Sequence, residues 1–132
     1  MKKVEAIVSP ARLETVREAL LARGVPALSL TEVHGISHEP MATGYYRGTR
    51  YDVDLHPKLK LEIVVRDEDA IPVAYAIMDA ARTGRVGDGK VMLYPVDDAV
   101  RIRTGEHGVA AIHDGVGSLG EPPGQGRLVA LG

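Results

Sequence analysis

A glycine-rich segment that ends in a lysine is the part of this sequence best suited to hold an anion. It reads Thr83-Gly84-Arg85-Val86-Gly87-Asp88-Gly89-Lys90. Glycine lets a backbone approach a ligand closely and point its N–H groups inward, and Lys90 would add a positive charge. The same residues also fit a glycine-rich hairpin turn beside an exposed basic strand, because short glycine motifs occur by chance.

A second basic segment, Arg101-Ile102-Arg103-Thr104-Gly105-Glu106, carries arginines at alternating positions. An arginine can bind a phosphate or a carboxylate through two parallel hydrogen bonds. Lys90, Arg101 and Arg103 would then supply positive charge at one place. Together the two segments predict a site for a multiply charged anion, most simply the phosphates of a nucleotide.

The elements that must position these segments alternate between strand and helix patterns. Strands are expected at Lys2–Val8, Leu28–Val33, Lys58–Val65 and Lys90–Val96, with a short fifth strand at Val100–Arg103. One helix follows Ser9 and Pro10. A second helix follows the third strand and is expected to bury the stripe formed by Ile71, Ala74, Met78 and Ala81.

This order predicts an α+β protein with the ferredoxin-like βαββαβ plan, an antiparallel sheet with two helices on one face. An uncovered sheet face, if apolar, favours oligomerisation. Between the second and third strands, Gly35 to Asp54 has no sustained apolar period. A connection of this kind is usually functional or mobile, and a long exposed hairpin is the alternative.

The composition excludes several classes of function. The formal net charge is −2, so the chain has no overall bias toward nucleic acid. Cysteine, phenylalanine and tryptophan are absent, which argues against disulfides and against an aromatic platform for single strands. Without a long apolar run, a cytoplasmic location is expected. Residues 113–132 are rich in glycine and proline and are expected to form a flexible tail, with a short apolar run at Leu128-Val129-Ala130-Leu131.

The chain resembles the PII signal-transduction proteins, also called nitrogen regulatory P-II proteins, over about residues 1–112. The resemblance rests on Met1–Val8, Val16–Leu20, Thr31–Val33, Tyr46–Gly48, Lys58–Val65, Thr83–Lys90 and Arg101–Glu106. It implies a homotrimer that binds ATP or ADP between neighbouring subunits and is a regulator rather than an enzyme. It also implies a T-loop at about 36–54, a B-loop at about 82–90 and a C-loop at about 98–107.

The resemblance further implies which residues meet the ligands. The expected nucleotide-binding residues are Ser29, Gly35, Ser37, Glu62, Val64, Thr83, Gly87, Asp88, Gly89, Lys90, Arg101 and Arg103. Glu39 and Lys58 are the candidates for Mg²⁺ and for a second effector. Tyr51 stands where many members carry a modified tyrosine, with an unmodified loop tyrosine as the alternative.

The segment around Glu39 departs from the family pattern. The family has a glutamine at the position of Glu39, which helps to bind magnesium and 2-oxoglutarate. A carboxylate can still bind Mg²⁺, but it would repel a dicarboxylate unless the metal offsets its charge. We therefore do not expect ordinary 2-oxoglutarate sensing. The nearby residues Ser37, His38, Pro40 and Met41 also differ from the family's usual residues.

The resemblance implies that the partner is a protein target that binds the T-loop. In the family, such targets are enzymes, membrane transporters and transcription regulators. Regulation of nitrogen, of bicarbonate handling or of metal transport would fit. A divalent-metal-binding trimer of similar fold is the alternative, but the five histidines are scattered and we expect no metal site. For catalysis, Asp88 is the one acid beside the phosphate site, and we expect it to cap its own turn instead.

Overall fold

A computed structural model describes residues 1–25, 28–36, 43–46, 49–52 and 55–112. Its strands are β1 (Lys2–Val8), β2 (Ser29–Ile36), β3 (Thr43–Tyr46), β4 (Thr49–Asp52), β5 (Leu55–Val65) and β6 (Gly89–Pro95). Its helices are α1 (Leu13–Ala22), α2 (Asp67–Ala81) and α3 (Val109–Ile112), with a 3₁₀ turn at Pro10–Arg12 before α1. The tail predicted at 113–132 lies outside the described residues.

The main sheet has four antiparallel strands in the order β2-β5-β1-β6. α1 and α2 pack against each other, and their buried residues join the core on one side of the sheet. This is the predicted ferredoxin-like plan, so the α+β class and the element order are confirmed. The strands β3 and β4 form a separate antiparallel ribbon within the connection between β2 and β5. The hairpin alternative therefore describes that part of the connection.

The core follows from the alternation of side chains along the central strands. Val4, Ala6 and Val8 of β1 are buried, while Lys3 and Glu5 between them face the other side of the sheet. On that other side the Lys3 ammonium lies 3.2 Å from Glu62 and 3.4 Å from Glu5. The hydrogen bond to Glu62, the largest cause, raises the pKa of Lys3. This face of the sheet thus carries paired charges around its centre.

The predicted fifth strand is wrong. Val100 makes an isolated bridge with His107, and the residues between them turn. The amide of Gly105 donates to the carbonyl oxygen of Arg101 at 2.7 Å, which closes the turn. Gly105 has a φ of 76°, a value that side chains disfavour, so the alternating pattern from Val100 could not continue as a strand.

The stripe predicted to face the core on α2 is confirmed at Ala81 but not at Ile71, Ala74 and Met78. The other buried apolar residues of the helix are Ala70, Val73, Ile77 and Ala80. Ile71 is 54% exposed, although it begins the predicted stripe. Both stripes have the spacing of one helix face, because this helix is apolar around most of its circumference. Packing against α1 and the sheet determines which of the two apolar stripes is buried. Most of the other stripe stays nearer the surface.

Candidate functional site

The B-loop, residues 82–90, is closed by the carboxylate of Asp88. That carboxylate accepts hydrogen bonds from the amides of Thr83, at 2.8 Å, and Gly84, at 2.9 Å, and also from the hydroxyl of Thr83. These bonds, led by the one from the Thr83 hydroxyl, lower the pKa of Asp88 from its ordinary value. Asp88 therefore caps its own turn, as expected from the sequence.

Gly89 is required by the approach of two backbones. It has a φ of +97°, and a Cβ atom added there would lie 1.7 Å from the carbonyl oxygen of Ile7. Gly89 begins β6 and pairs with Val8, so the strand can reach β1 at this point through glycine alone. The sequence predicted that Gly89 contacts a phosphate. The structure shows that Gly89 is also needed for β6 to pack against β1.

Lys58 joins the B-loop to the strand that leaves the predicted T-loop. The side chain of Lys58 is buried in β5, and its ammonium donates to the carbonyl oxygen of Gly87 at 2.6 Å. Gly35 of β2 pairs with His56 of β5. A Cβ atom added to Gly35 would lie 3.8 Å from the Lys58 side chain. The effector residue predicted from the resemblance is thus also a direct link between β5 and the B-loop.

Arg12 is a supporting residue that the sequence did not single out. Its guanidinium donates two hydrogen bonds to the carbonyl oxygen of Ala80, at 2.6 Å and 3.1 Å. Ala80 lies at the end of α2, directly before the B-loop. Arg12 therefore fixes the point from which the loop departs. No local pattern could have revealed this, because the two residues are 68 positions apart.

The C-loop, residues 98–107, is held by a second aspartate. The carboxylate of Asp98 accepts hydrogen bonds from the amides of Ala99, at 2.8 Å, and Gly108, at 3.0 Å. It also lies 2.9 Å from Nδ1 of His107. The hydrogen bond with His107, the largest cause, lowers the pKa of Asp98. The loop is consequently closed on itself at its base.

The two predicted arginines have different surroundings within this loop. The guanidinium of Arg101 donates to the carbonyl oxygens of Ala110, at 3.3 Å, and Ala111, at 3.4 Å, and lies 3.9 Å from Glu106. Arg101 is half-buried against α3 by these contacts. Arg103 is exposed at the turn. Arg103 is therefore the arginine that can move toward a ligand without first losing a contact seen here.

The lysine and the two arginines of the predicted anion site adjoin opposite ends of β6. Lys90 pairs with Ile7 at one end of β1, and Pro95 pairs with Lys2 at the other end. At the usual rise of a strand, these five steps separate Lys90 from Pro95 by about 17 Å. The two basic segments therefore adjoin opposite ends of β6.

The remaining predicted residues are spread along the open side of the sheet and the predicted T-loop. Ser29 pairs with Glu62, and buried Val64 pairs with Lys3. Tyr51 lies in β4 opposite Gly44. Ser37 and Glu39 lie outside the described residues.

Acid should open the turn that Asp88 closes. The folded-state pKa of Asp88 is lowered from 3.8, so its contribution is present above that value and is lost as the pH falls through the folded-state pKa. We expect the amide NMR signals of Thr83 and Gly84 to stay constant from pH 7 to about pH 5 and to shift below about pH 4. In the Asp88→Asn variant these signals should not titrate, and a pH-dependent shift there would contradict this assignment.

Within the described ranges there is neither a cluster of metal ligands nor a membrane-spanning helix. Among these residues, no three histidines or acids lie together as a metal site would require. No helix in the same part of the chain is long and apolar enough to cross a membrane. Of the five histidines that the metal alternative would use, His38 and His113 are outside the described residues.

Comparisons with known proteins agree with the fold and extend over most of the chain. The sequence model of the family Nitrogen regulatory protein P-II matches residues 1–106. The chain is 48% identical over 112 residues to the nitrogen regulatory protein P-II of Cereibacter sphaeroides, covering 85% of this chain and 100% of that protein. It is 47% identical over 112 residues to nitrogen regulatory protein P-II 2 of Methanothermobacter thermautotrophicus, covering 85% and 97%.

A solved structure shows the same likeness. The structure of Arabidopsis thaliana PII bound to citrate superposes with a TM-score of 0.68 at 37% identity. The match covers 83% of this chain and 87% of that one. The likeness therefore extends over most of both chains.

Proposed function

Because the chain belongs to the nitrogen regulatory protein P-II family, we propose that it binds ATP or ADP in clefts between the subunits of a homotrimer. In this proposal the bound nucleotide sets the shape of the T-loop, and the T-loop controls a protein target. The family consists of regulatory proteins, so the expectation of a regulator rather than an enzyme is confirmed.

The separation of the two basic loops carries this proposal. The B-loop and the C-loop adjoin opposite ends of β6, which supports a site whose two basic loops come from different chains. If the C-loop of one subunit lies against the B-loop of the next, Lys90 and Arg103 face the same phosphates. Binding would then require assembly, and each nucleotide would hold two subunits together.

The open side of the sheet supports such an assembly. Lys3, Glu5 and Glu62 form paired charges there, with the Tyr94 ring 4.7 Å from the Lys3 ammonium. Fixed charges of both signs give register and orientation to an interface more than raw affinity. Ser29 and Val64, both predicted to meet the nucleotide, lie on this same side of the sheet. A cleft that combines this surface with a neighbour's loop would contain Ser29, Glu62 and Val64.

The link between ligand and target runs through Lys58. Its ammonium holds the carbonyl oxygen of Gly87, and its strand leads directly from the predicted T-loop. A γ-phosphate near Gly87 would compete for this lysine, because a phosphate oxygen is a stronger acceptor than a carbonyl oxygen. ATP and ADP would then leave Lys58, and with it the T-loop base, in different states.

The second ligand is where this chain is expected to differ from the family's usual pattern. Glu39 can bind Mg²⁺ that accompanies ATP, and Lys58 can bind a carboxylate. An added dicarboxylate must approach Glu39, so we propose that 2-oxoglutarate binds weakly or not at all. The related Arabidopsis protein has been solved bound to citrate, so a protein similar to this chain can bind a small carboxylate. Modification of Tyr51 and a cytoplasmic location remain predictions from the sequence.

Titration of the native protein with nucleotides tests the proposal. We expect calorimetry to give micromolar or tighter binding of ATP and ADP, equivalent to about −8 kcal/mol at 1 μM. Sedimentation should show a trimer under the same conditions. A trimer that binds neither nucleotide would contradict the transfer of the family's site to this chain. Zinc binding without nucleotide binding would favour the metal-binding alternative.

A further inference from the structure

An apolar groove of about 550 Å³ lies between α2 and β6 on the helix side of the sheet, and at one end it reaches the B-loop residues Asp88, Gly89 and Lys90. Its apolar lining comes from Ile71, Tyr75 and Met78 of α2 and from Val91 and Leu93 of β6. Ile71 is 54% exposed and Tyr75 is 58% exposed. Most exposed apolar residues on a protein are scattered singly, whereas these lie together in one concave surface. We call this surface the outer groove.

The outer groove is bordered by an unpaired strand. β6 lies at the edge of the sheet, so the backbone groups on its outer side have no strand partner among the described residues. The side chains of Val91 and Leu93 point from β6 toward α2. A short extended segment laid along this edge could therefore gain main-chain hydrogen bonds from β6 and apolar contacts from α2 at once.

We propose that the apolar run Leu128-Val129-Ala130-Leu131 of this same chain docks in the outer groove. The groove runs along β6 from Gly89 to Leu93, and four extended residues span a comparable length of about 13 Å. Alternate residues of the run would face α2, and those between them would face outward. Within 113–132, this is the one continuous run of large apolar residues, set among glycines and prolines.

The connection is long enough for this docking. Residues 113–127 separate α3 from the run, and fifteen residues can reach about 50 Å when extended. A folded domain of this size has a radius of gyration of about 13 Å, so the groove is within reach from any point on the surface. A tether of this kind gives a local concentration of about 1 mM. An intrinsic affinity of only about 0.1 mM would then keep the groove about nine-tenths occupied.

Hydrogen exchange on the full-length chain tests the proposal. In the wild-type protein we expect the outward-facing amides of β6 to be protected. In the Leu128→Asp/Leu131→Asp variant those amides should exchange about tenfold faster, the ratio that follows from the occupancy above. The matched control is Gly124→Asp/Gly126→Asp, which adds the same charges to the same stretch but leaves the apolar run intact. This control should exchange like the wild type.

The groove itself is tested from its other wall. Tyr75→Ser should make the same β6 amides exchange faster. Leu21→Ser, at a 49% exposed position on α1, should leave their exchange rates unchanged. If the wild-type β6 amides exchange as freely as in the charged variant, the groove is not occupied by this run and the proposal fails. If they are protected in the wild type and in the Leu128→Asp/Leu131→Asp variant alike, a second copy or another partner covers the groove, and the proposal is again overturned.

Discussion

The Gly89→Ala variant is expected to lose its native B-loop and much of its folding stability. A side chain at a φ of +97° costs about 1–2 kcal/mol by itself. The added Cβ atom would also lie 1.7 Å from the carbonyl oxygen of Ile7, so β6 would have to move away from β1. Because β6 pairs with no other strand of the described chain, this movement breaks its attachment to the sheet. We expect a total loss of at least about 3 kcal/mol.

Gly84→Ala is the matched control for this prediction. Gly84 also has a positive φ, +84°, but a Cβ atom there would meet nothing within 4 Å. Gly84→Ala should therefore lose only the folding free energy needed to hold a side chain at positive φ, about 1 kcal/mol. Chemical denaturation of both variants measures the difference. Equal losses for the two glycines would mean that β6 does not approach β1 as closely as the structure indicates.

Loss of Lys90 and Arg103 is expected to abolish nucleotide binding if the proposed cleft is correct. Each charged group contributes about 1.5–3 kcal/mol when it hydrogen-bonds a ligand, so Lys90→Ala or Arg103→Ala alone should weaken ATP binding at least about tenfold. Arg85→Ala is the control, because Arg85 is an exposed cation of the same loop outside the predicted set. Calorimetry with ATP and ADP measures the three affinities. Unchanged binding in the first two variants would place the phosphates elsewhere.

Mixing the two variants tests the position of the cleft. When Lys90→Ala and Arg103→Ala subunits are unfolded together and refolded, random assembly pairs an intact B-loop with an intact C-loop in about a quarter of the clefts. We therefore expect about a quarter of the wild-type number of tight ATP sites. A site built within one chain would recover none, because every chain in the mixture carries one of the two substitutions.

The central fold could be predicted from the sequence because it depends on local patterns. The alternation in Lys2–Val8 and Lys58–Val65 marks strands with one buried side, and Gly24, with a φ of 84°, stands where the first helix ends. Asp88 could likewise be read as a turn cap, since its partners Thr83 and Gly84 are close in sequence. The position of the glycine-rich turn from Thr83 to Lys90 followed from the same local signals.

The α2 face and the fifth strand could not be decided in this way. Two stripes of α2 have the same helical spacing, and the choice of Ala70, Val73 and Ile77 depends on α1 and the sheet, which are distant in sequence. The alternation after Val100 predicted a strand, but a turn closed by Gly105 has the same residues. In both cases a local pattern allowed two structures, and contacts between distant segments selected one of them.

By itself, the sequence determined the ferredoxin-like plan, the B-loop turn and the residue types of an anion site, because each rests on neighbours along the chain. The tertiary structure alone decided that Gly89 must be glycine, that Lys58 holds the B-loop, and that Lys90 and Pro95 lie at opposite ends of β1. These three facts depend on how β1, β5 and β6 pair. Since strand pairing joins residues that are distant in sequence, the spacing of Lys90, Arg101 and Arg103 could not show that the two basic segments adjoin opposite ends of the same strand.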